Sequence, residues 1–335
     1  MLKDPELVRA AGTFFLYHAS TPHRTRERVQ LAEELLAGLA RPVAPIPNTY
    51  SSGVLFFAGN VLLEVGQRQR CEDYWGEFIS ACQRVGVESI GNETRRGNIA
   101  TLDGRLEQAT EVAERIFTRG EAEGFPGMGV TEALGAGLRA WLLLGRAERA
   151  LELIGTMPAE SVWSQRTLCL AHLGRQAEVL DTLEKRVVAR PGGGTYSDER
   201  SGVGHAILLE AAVLAGHRKA AELLLASFSG SGMLTTGWGY PTVIPRHMGA
   251  AAALLDRYEE ARTHYKEALR VATEMKFRPE ITLTRLQLAE LLLEHYPQEK
   301  SEAIAHLDFA IAEFRDMKMQ PSLERALRHK EILRA

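Results

Sequence analysis

Apolar residues recur at i, i+3, i+4 and i+7 along most of the chain, the spacing of one face of an α-helix, and the stripes come in pairs broken by a short turn. Six of the breaks share a phrase: VGQRQRCEDYW from Val65, DGRLEQATEV from Asp103, LGRAERALELI from Leu144, LGRQAEVLDTL from Leu173, AGHRKAAELLL from Ala215 and LDRYEEARTHY from Leu255. Their turn residues Gly66, Gly104, Gly145, Gly174, Gly216 and Asp256 lie 38, 41, 29, 42 and 40 residues apart. Glycine or aspartate tolerates the left-handed backbone that ends a helix, so each phrase predicts a helix hairpin. Five residues past each turn stands a small or modest side chain: Cys71, Ala109, Ala150, Val179, Ala221 and Ala261. Seven residues before it, Gly59, Gly97 and Gly249 leave room for the two helices of a hairpin to approach, whereas Leu138 and Thr167 depart from that pattern.

Residues 5–20 and 24–40 predict two further helices, closed by the proline run at 41–47, so that residues 1–47 form an N-terminal helical cap and 48–335 the repeat array. After the last hairpin, with Ala289 and Ala303 at its small positions and two extra residues around Tyr296 and Pro297, residues 321–333 predict a closing amphipathic helix. Two stretches break the rhythm. Residues 190–204 (RPGGGTYSDERSGVG) and 227–246 (SFSGSGMLTTGWGYPTVIPR) are too glycine-rich for helix and predict long loops.

The chain has 335 residues, 45% hydrophobic and 25% charged, which excludes disorder of the whole. Forty Lys and Arg against 43 Asp and Glu give a net charge of -3, without the basic excess that phosphate contacts need, so no direct nucleic-acid partner is expected. The longest uncharged stretch, 226–245, is mostly Gly, Ser, Thr and Pro, and no membrane span is predicted. Cys71, Cys82 and Cys169 form no CxxC pair; a reducing, cytoplasmic setting with buried thiols is expected. No GxxxxGK[ST] loop, HExxH motif or paired CxxC is present, so neither cofactor nor metal is expected and no catalytic residue is assigned. Trp75, Trp141 and Trp163 fall in helical stripes and predict core, while Trp238 lies in a Gly-Tyr-Pro loop where an indole can anchor a contact.

The hairpins resemble tetratricopeptide repeats. The clearest copy runs over 248–269, where Met248, Gly249, Tyr258, Ala261, Tyr265, Ala268 and Leu269 occupy the marker positions. The stretch 245–335 is also similar to the helical tail of bacterial LuxR-type ATP-dependent activators and of ATPase-linked class III nucleotide cyclases, carried by RHMGAAAALLDRYEEARTHYKEALRVA and RPEITLTRLQLAELLL. The resemblance implies an all-α fold: a right-handed α-solenoid of about seven hairpins with a C-terminal capping helix. It also implies a non-catalytic scaffold or sensor arm, either a fragment or acting in trans, whose first helices line a concave face for a protein or peptide partner, a signalling ATPase or cyclase among the candidates. The positions one past the small sites would then face the partner: Asn60, Asn98, Arg139, Glu210 and, in the last hairpin, Glu290. Trp238, Tyr240 and Arg246 add an anchor from the long loop. The alternative is a small-molecule sensor with a pocket under the two glycine-rich loops, and a third possibility is an enzyme whose groups meet only in three dimensions.

Overall fold

All six turn residues end a helix with positive φ, +81° at Gly66, +78° at Gly104, +75° at Gly145, +69° at Gly174, +68° at Gly216 and +63° at Asp256, in the computed structural model, which describes residues 5–39, 50–86 and 90–333. The residue after each turn donates its N–H five residues back, as Arg105 does to Ala100 (2.8 Å) and Arg257 to Ala252 (2.9 Å), the closing pattern of a left-handed helix end. At Asp256, the one turn residue of the six with a side chain, Oδ2 accepts from Arg218 at 2.8 Å.

The chain is all-α, with no strand among the described residues beyond one isolated bridge between Thr235 and Val243. An N-terminal pair, α1 (Pro5–His18) and α2 (Thr25–Ala37), precedes the first repeat-type hairpin, α3 (Tyr50–Glu64) with α4 (Arg68–Arg84). Next come α5 (Ile90–Leu102) with α6 (Leu106–Ala122), α7 (Pro126–Leu143) with α8 (Ala147–Ile154), and α9 (Trp163–His172) with α10 (Gln176–Leu183). Then follow α11 (Gly202–Leu214) with α12 (Arg218–Phe228), α13 (Ile244–Leu254) with α14 (Tyr258–Glu274), α15 (Arg278–His295) with α16 (Lys300–Asp316), and α17 (Gln320–Ile332) alone. The proline run at 41–47 and the expected boundary there lie outside the described residues. The long loops are shorter than their composition predicts: α11 begins at Gly202, α12 continues to Phe228, and Arg246 belongs to the first turn of α13 rather than to a loop.

The residue five past each turn is fully buried in every hairpin, as are Ala289 and Ala303 in the last. At Gly59 and Gly249 a Cβ would stand 2.9 Å from Trp75 and 2.6 Å from Tyr265, the aromatic residues of the second helix of the same hairpin. At Gly97 the close neighbour is instead Ala136 of the following hairpin, 2.8 Å from an added Cβ, so this glycine serves packing between hairpins and not within one. Cys71 and Cys169 are buried, and burial pushes the Cys169 thiol up to about 12. Cys82 is only half-buried, as is Trp163, over which the Arg186 guanidinium lies 5.6 Å from the ring centre.

From α5 and α6 onward each hairpin packs on the next, and early helices also meet late ones, α5 against α15 and α7 against α17. Arg68, beside the first turn, donates to the carbonyls of Met275 and Lys276 at 3.0 and 3.2 Å. Gly104 sits on Met317, and Gly145 on Pro321. Residues of α3 and α4, Phe56, Leu63, Cys71 and Trp75, share one apolar cluster with Ala268, Val271 and Met275 from α14 and its end. No described helix is long and apolar enough to cross a membrane.

Candidate functional site

The connection between α12 and α13, residues 229–243, runs across the first helices of the hairpins, and the polar residues expected on that inner face hold it. Asn60 Oδ1 accepts the Trp238 N–H at 2.8 Å, and Asn98 Oδ1 accepts the Gly239 N–H at 3.0 Å. One hairpin further, Arg139 donates to the Tyr240 hydroxyl at 2.8 Å, and that hydroxyl donates to Glu210 at 2.6 Å. Four positions chosen for an extended chain therefore grip one, and the chain is the protein's own. A Cβ at Gly237 would lie 2.5 Å from Asn60 Oδ1, and Gly237 and Gly239 have φ of +71° and +92°, so glycine is what admits the backbone so close to the helices. The Leu234 and Thr235 N–H groups donate to the Glu64 carbonyl, and Thr235 Oγ1 donates to that of Leu63.

Glu280, in the first turn of α15, is fully buried and joins this strap to three helices. It accepts from Arg139 (2.7 Å), from Arg246 Nε (2.6 Å), from Thr242 Oγ1 (2.9 Å) and from the Val243 N–H (3.2 Å). Arg139 in turn donates to both oxygens of Glu210 at 2.9 and 3.0 Å. Two guanidiniums and two carboxylates thus balance inside the protein, the condition for burying charge. Burial would raise the Glu280 carboxyl, but Arg246 and Arg139 hold it down to about 2, and Arg139 holds Glu210 low in the same way. Burial drives the His247 imidazole, 2.7 Å from Thr242 Oγ1, down to about 3, and it pushes the Tyr240 hydroxyl up. These shifts move each group away from neutrality, opposite to what proton transfer near pH 7 requires. His172 lies 3.4 Å from Glu210, and Arg139, His172, Glu210, Arg246 and His247 border a cleft of about 450 Å³.

Glu290 stands apart from this group. It accepts from Arg325 at 2.6 Å and lies 2.9 Å from His329 Nε2, both on α17, so its partner is the closing helix. Trp238 is half-buried, edge-on to Phe56 with ring centres 5.1 Å apart. Sequence reasoning passed over Glu280, Thr242, His247 as a core group, and the buried Arg28, which donates to the Leu16 carbonyl at 2.7 Å and pairs with Glu64. For Glu280 the only hint was its place after Pro279, where an acidic residue at a helix start is equally common on the surface.

On the other side of the strap a cavity of about 500 Å³ opens between α1, α3, α7, α9 and α11. Both glycine-rich stretches reach it, the first through Ser201 and Val203, the second through Thr236, Trp238 and Gly239. Leu134, Leu138, Val162 and Ile207 supply apolar lining, and Tyr17, Phe57 and Glu132 line the same cavity. Among the described residues no group of three or more His, Cys, Asp or Glu is arranged to hold a metal ion. No protein-family model matches the chain, and no curated protein matches it.

Proposed function

We propose that the chain is a non-catalytic sensor arm, a right-handed α-solenoid of tetratricopeptide-like hairpins that takes a small ligand into the cavity beneath its strap. The observation that carries this is the cavity of about 500 Å³ walled by both glycine-rich stretches, within the size range of small-molecule sites. The neighbouring inner face is already occupied by residues 234–243, which argues for a ligand in the remaining space. A ligand touching both the strap and α1, α7 and α11 would tie distant hairpins together, and the change would pass to a partner protein as a shift in the arm's geometry. The test is a melting-temperature screen of small metabolites repeated on Val203→Trp and Gln165→Trp, two half-buried wall positions. Hits that both variants abolish support the proposal; hits that survive in both place the ligand elsewhere and refute it.

A second function, a peptide-binding scaffold, is favoured by Asn60 and Asn98, whose amide oxygens accept backbone N–H groups and so read an extended chain without regard to its side chains. It requires the strap to leave. A synthetic peptide of residues 231–243, added to a variant with that stretch replaced by Gly and Ser, should bind and should lose binding with Asn98→Ala.

A further inference from the structure

The titratable acid and base groups in the cavity wall are His18, Arg28, Glu64 and Glu132, besides Tyr17. Arg28 and Glu64, both wall residues, are paired with each other and buried. Glu132 is half-buried in the same wall, and its carboxylate accepts a hydrogen bond from Thr94 Oγ1 at 2.6 Å. Among the described residues no Lys, Arg or His side chain forms an ion pair with it; Arg95, buried over the Phe56 ring and not part of the cavity lining, acts on it only at a distance. Facing the same space are Tyr17, Phe57 and Trp238. Their rings belong to one run: Tyr17 and Phe57 lie 5.2 Å apart between centres, Phe57 and Phe56 4.6 Å, and Phe56 and Trp238 5.1 Å.

Aromatic faces attract a positive charge, an unpaired carboxylate does so more strongly, and an apolar wall accepts a hydrocarbon body. We propose that the cavity binds a small organic cation, an alkyl- or arylammonium whose charged head lies against Glu132 and the aromatic run and whose apolar body covers Leu134, Leu138 and Ile207; this rests on the sensor function proposed above. An organic anion would meet the Glu132 carboxylate at the wall, because Arg95, the guanidinium that acts on Glu132, is buried outside the cavity lining, and a neutral body of the same shape would forgo the ionic contact.

Three probes of one shape separate the outcomes: benzyltrimethylammonium, benzyl alcohol and benzoate, titrated calorimetrically into the full chain and into Glu132→Gln, with the melting temperature of the variant as the check on its fold. Gln keeps an acceptor for the Thr94 hydroxyl, so the fold should stand. The expected result is that benzyltrimethylammonium binds the full chain at least tenfold more tightly than the other two, and at least tenfold more weakly to Glu132→Gln. Equal binding of the cation to both chains, or benzoate binding as tightly as the cation, overturns the cation proposal while leaving the sensor function standing. Should none of the three probes bind, the cation proposal falls, and the metabolite screen on Val203→Trp and Gln165→Trp decides the sensor function separately. If Glu132→Gln fails to fold, Trp238→Leu serves in its place, and unchanged cation affinity there overturns the proposal.

Discussion

Replacing Glu280 by Gln removes one negative charge from a site where two guanidiniums and two carboxylates balance. Arg139 keeps Glu210, but Arg246 keeps only the neutral Thr242, His247 and Gln287 as side-chain partners, at 3.2, 3.0 and 3.4 Å. The new amide also turns a donor toward a cluster of donors, since Glu280 receives hydrogen bonds from Arg139, Arg246, Thr242 and the Val243 N–H. Breaking a buried ion pair from one side costs about 3–5 kcal/mol, because the orphaned charge stays desolvated. Against a typical total stability of about 5–15 kcal/mol that is a large fraction, and the variant should unfold at clearly lower urea than the parent. The assay is urea denaturation followed by far-UV circular dichroism, comparing midpoints at equal slope. Pairing the change with Arg246→Gln should recover at least about 1 kcal/mol, since the two losses share one interaction. A loss below about 1 kcal/mol in the single variant would refute the claim that this cluster is desolvated and charge-balanced.

Gly249→Leu puts side-chain atoms where even a Cβ would stand 2.6 Å from the Tyr265 ring, so it should cost at least about 1–3 kcal/mol in the same urea assay; an unchanged midpoint contradicts the packing of α13 on α14. Acid should destabilise the protein in two stages. His247 is held down to about 3 against an ordinary 6.5, so the unfolded chain takes up that proton first and stability falls as pH drops from 6.5 toward 3. Glu280, held down to about 2 against 4.5, extends the loss between 4.5 and 2. In His247→Gln the urea midpoint should fall less between about pH 7 and pH 5 than in the parent, and an equal fall would exclude His247 as the cause. Asn98→Ala deprives the Gly239 N–H and the Gly135 carbonyl of a partner and should cost about 1–3 kcal/mol. It should also loosen the strap, read as faster protease cleavage near the exposed Gly230 and Gly232, which unchanged cleavage would disprove.

The hairpins were readable because their signal is local. A turn residue that must adopt positive φ and a small side chain five positions on both act within a few residues, and all six marked turns lie between helices. Asn60, Asn98, Arg139 and Glu210 were marked by the same local register, one position past each expected small site, and the structure brings all four against residues 238–240. What occupies that face was not readable. Residues 229–243 carry six glycine or serine residues that suggest solvent, yet Thr235, Thr236, Tyr240, Thr242 and Val243 are all buried, and all but Thr236 hydrogen-bond to helices distant in sequence. Glu280 and Arg28 hide likewise: by composition each is a charge on a helix, and only the meeting of remote segments buries them. Arg95 is a further case, a buried guanidinium over the Phe56 and Phe78 rings at 3.9 and 4.6 Å, which burial pulls down to about 9.

A row of hairpins that touch only their neighbours behaves as a one-dimensional chain, able to melt from either end one unit at a time. The strap changes that dimension. Its bonds to Asn60 and Asn98 join residues 178 and 141 positions apart, and Glu280 ties the same segment to α7 and α13. No end hairpin can then fray without giving up contacts made in the middle, so the array should melt in a single cooperative step. Contacts of such long range also slow the search for the native state, since distant loops must close before they are rewarded. Removing terminal hairpins, which a simple repeat protein tolerates, should here abolish folding of the remainder.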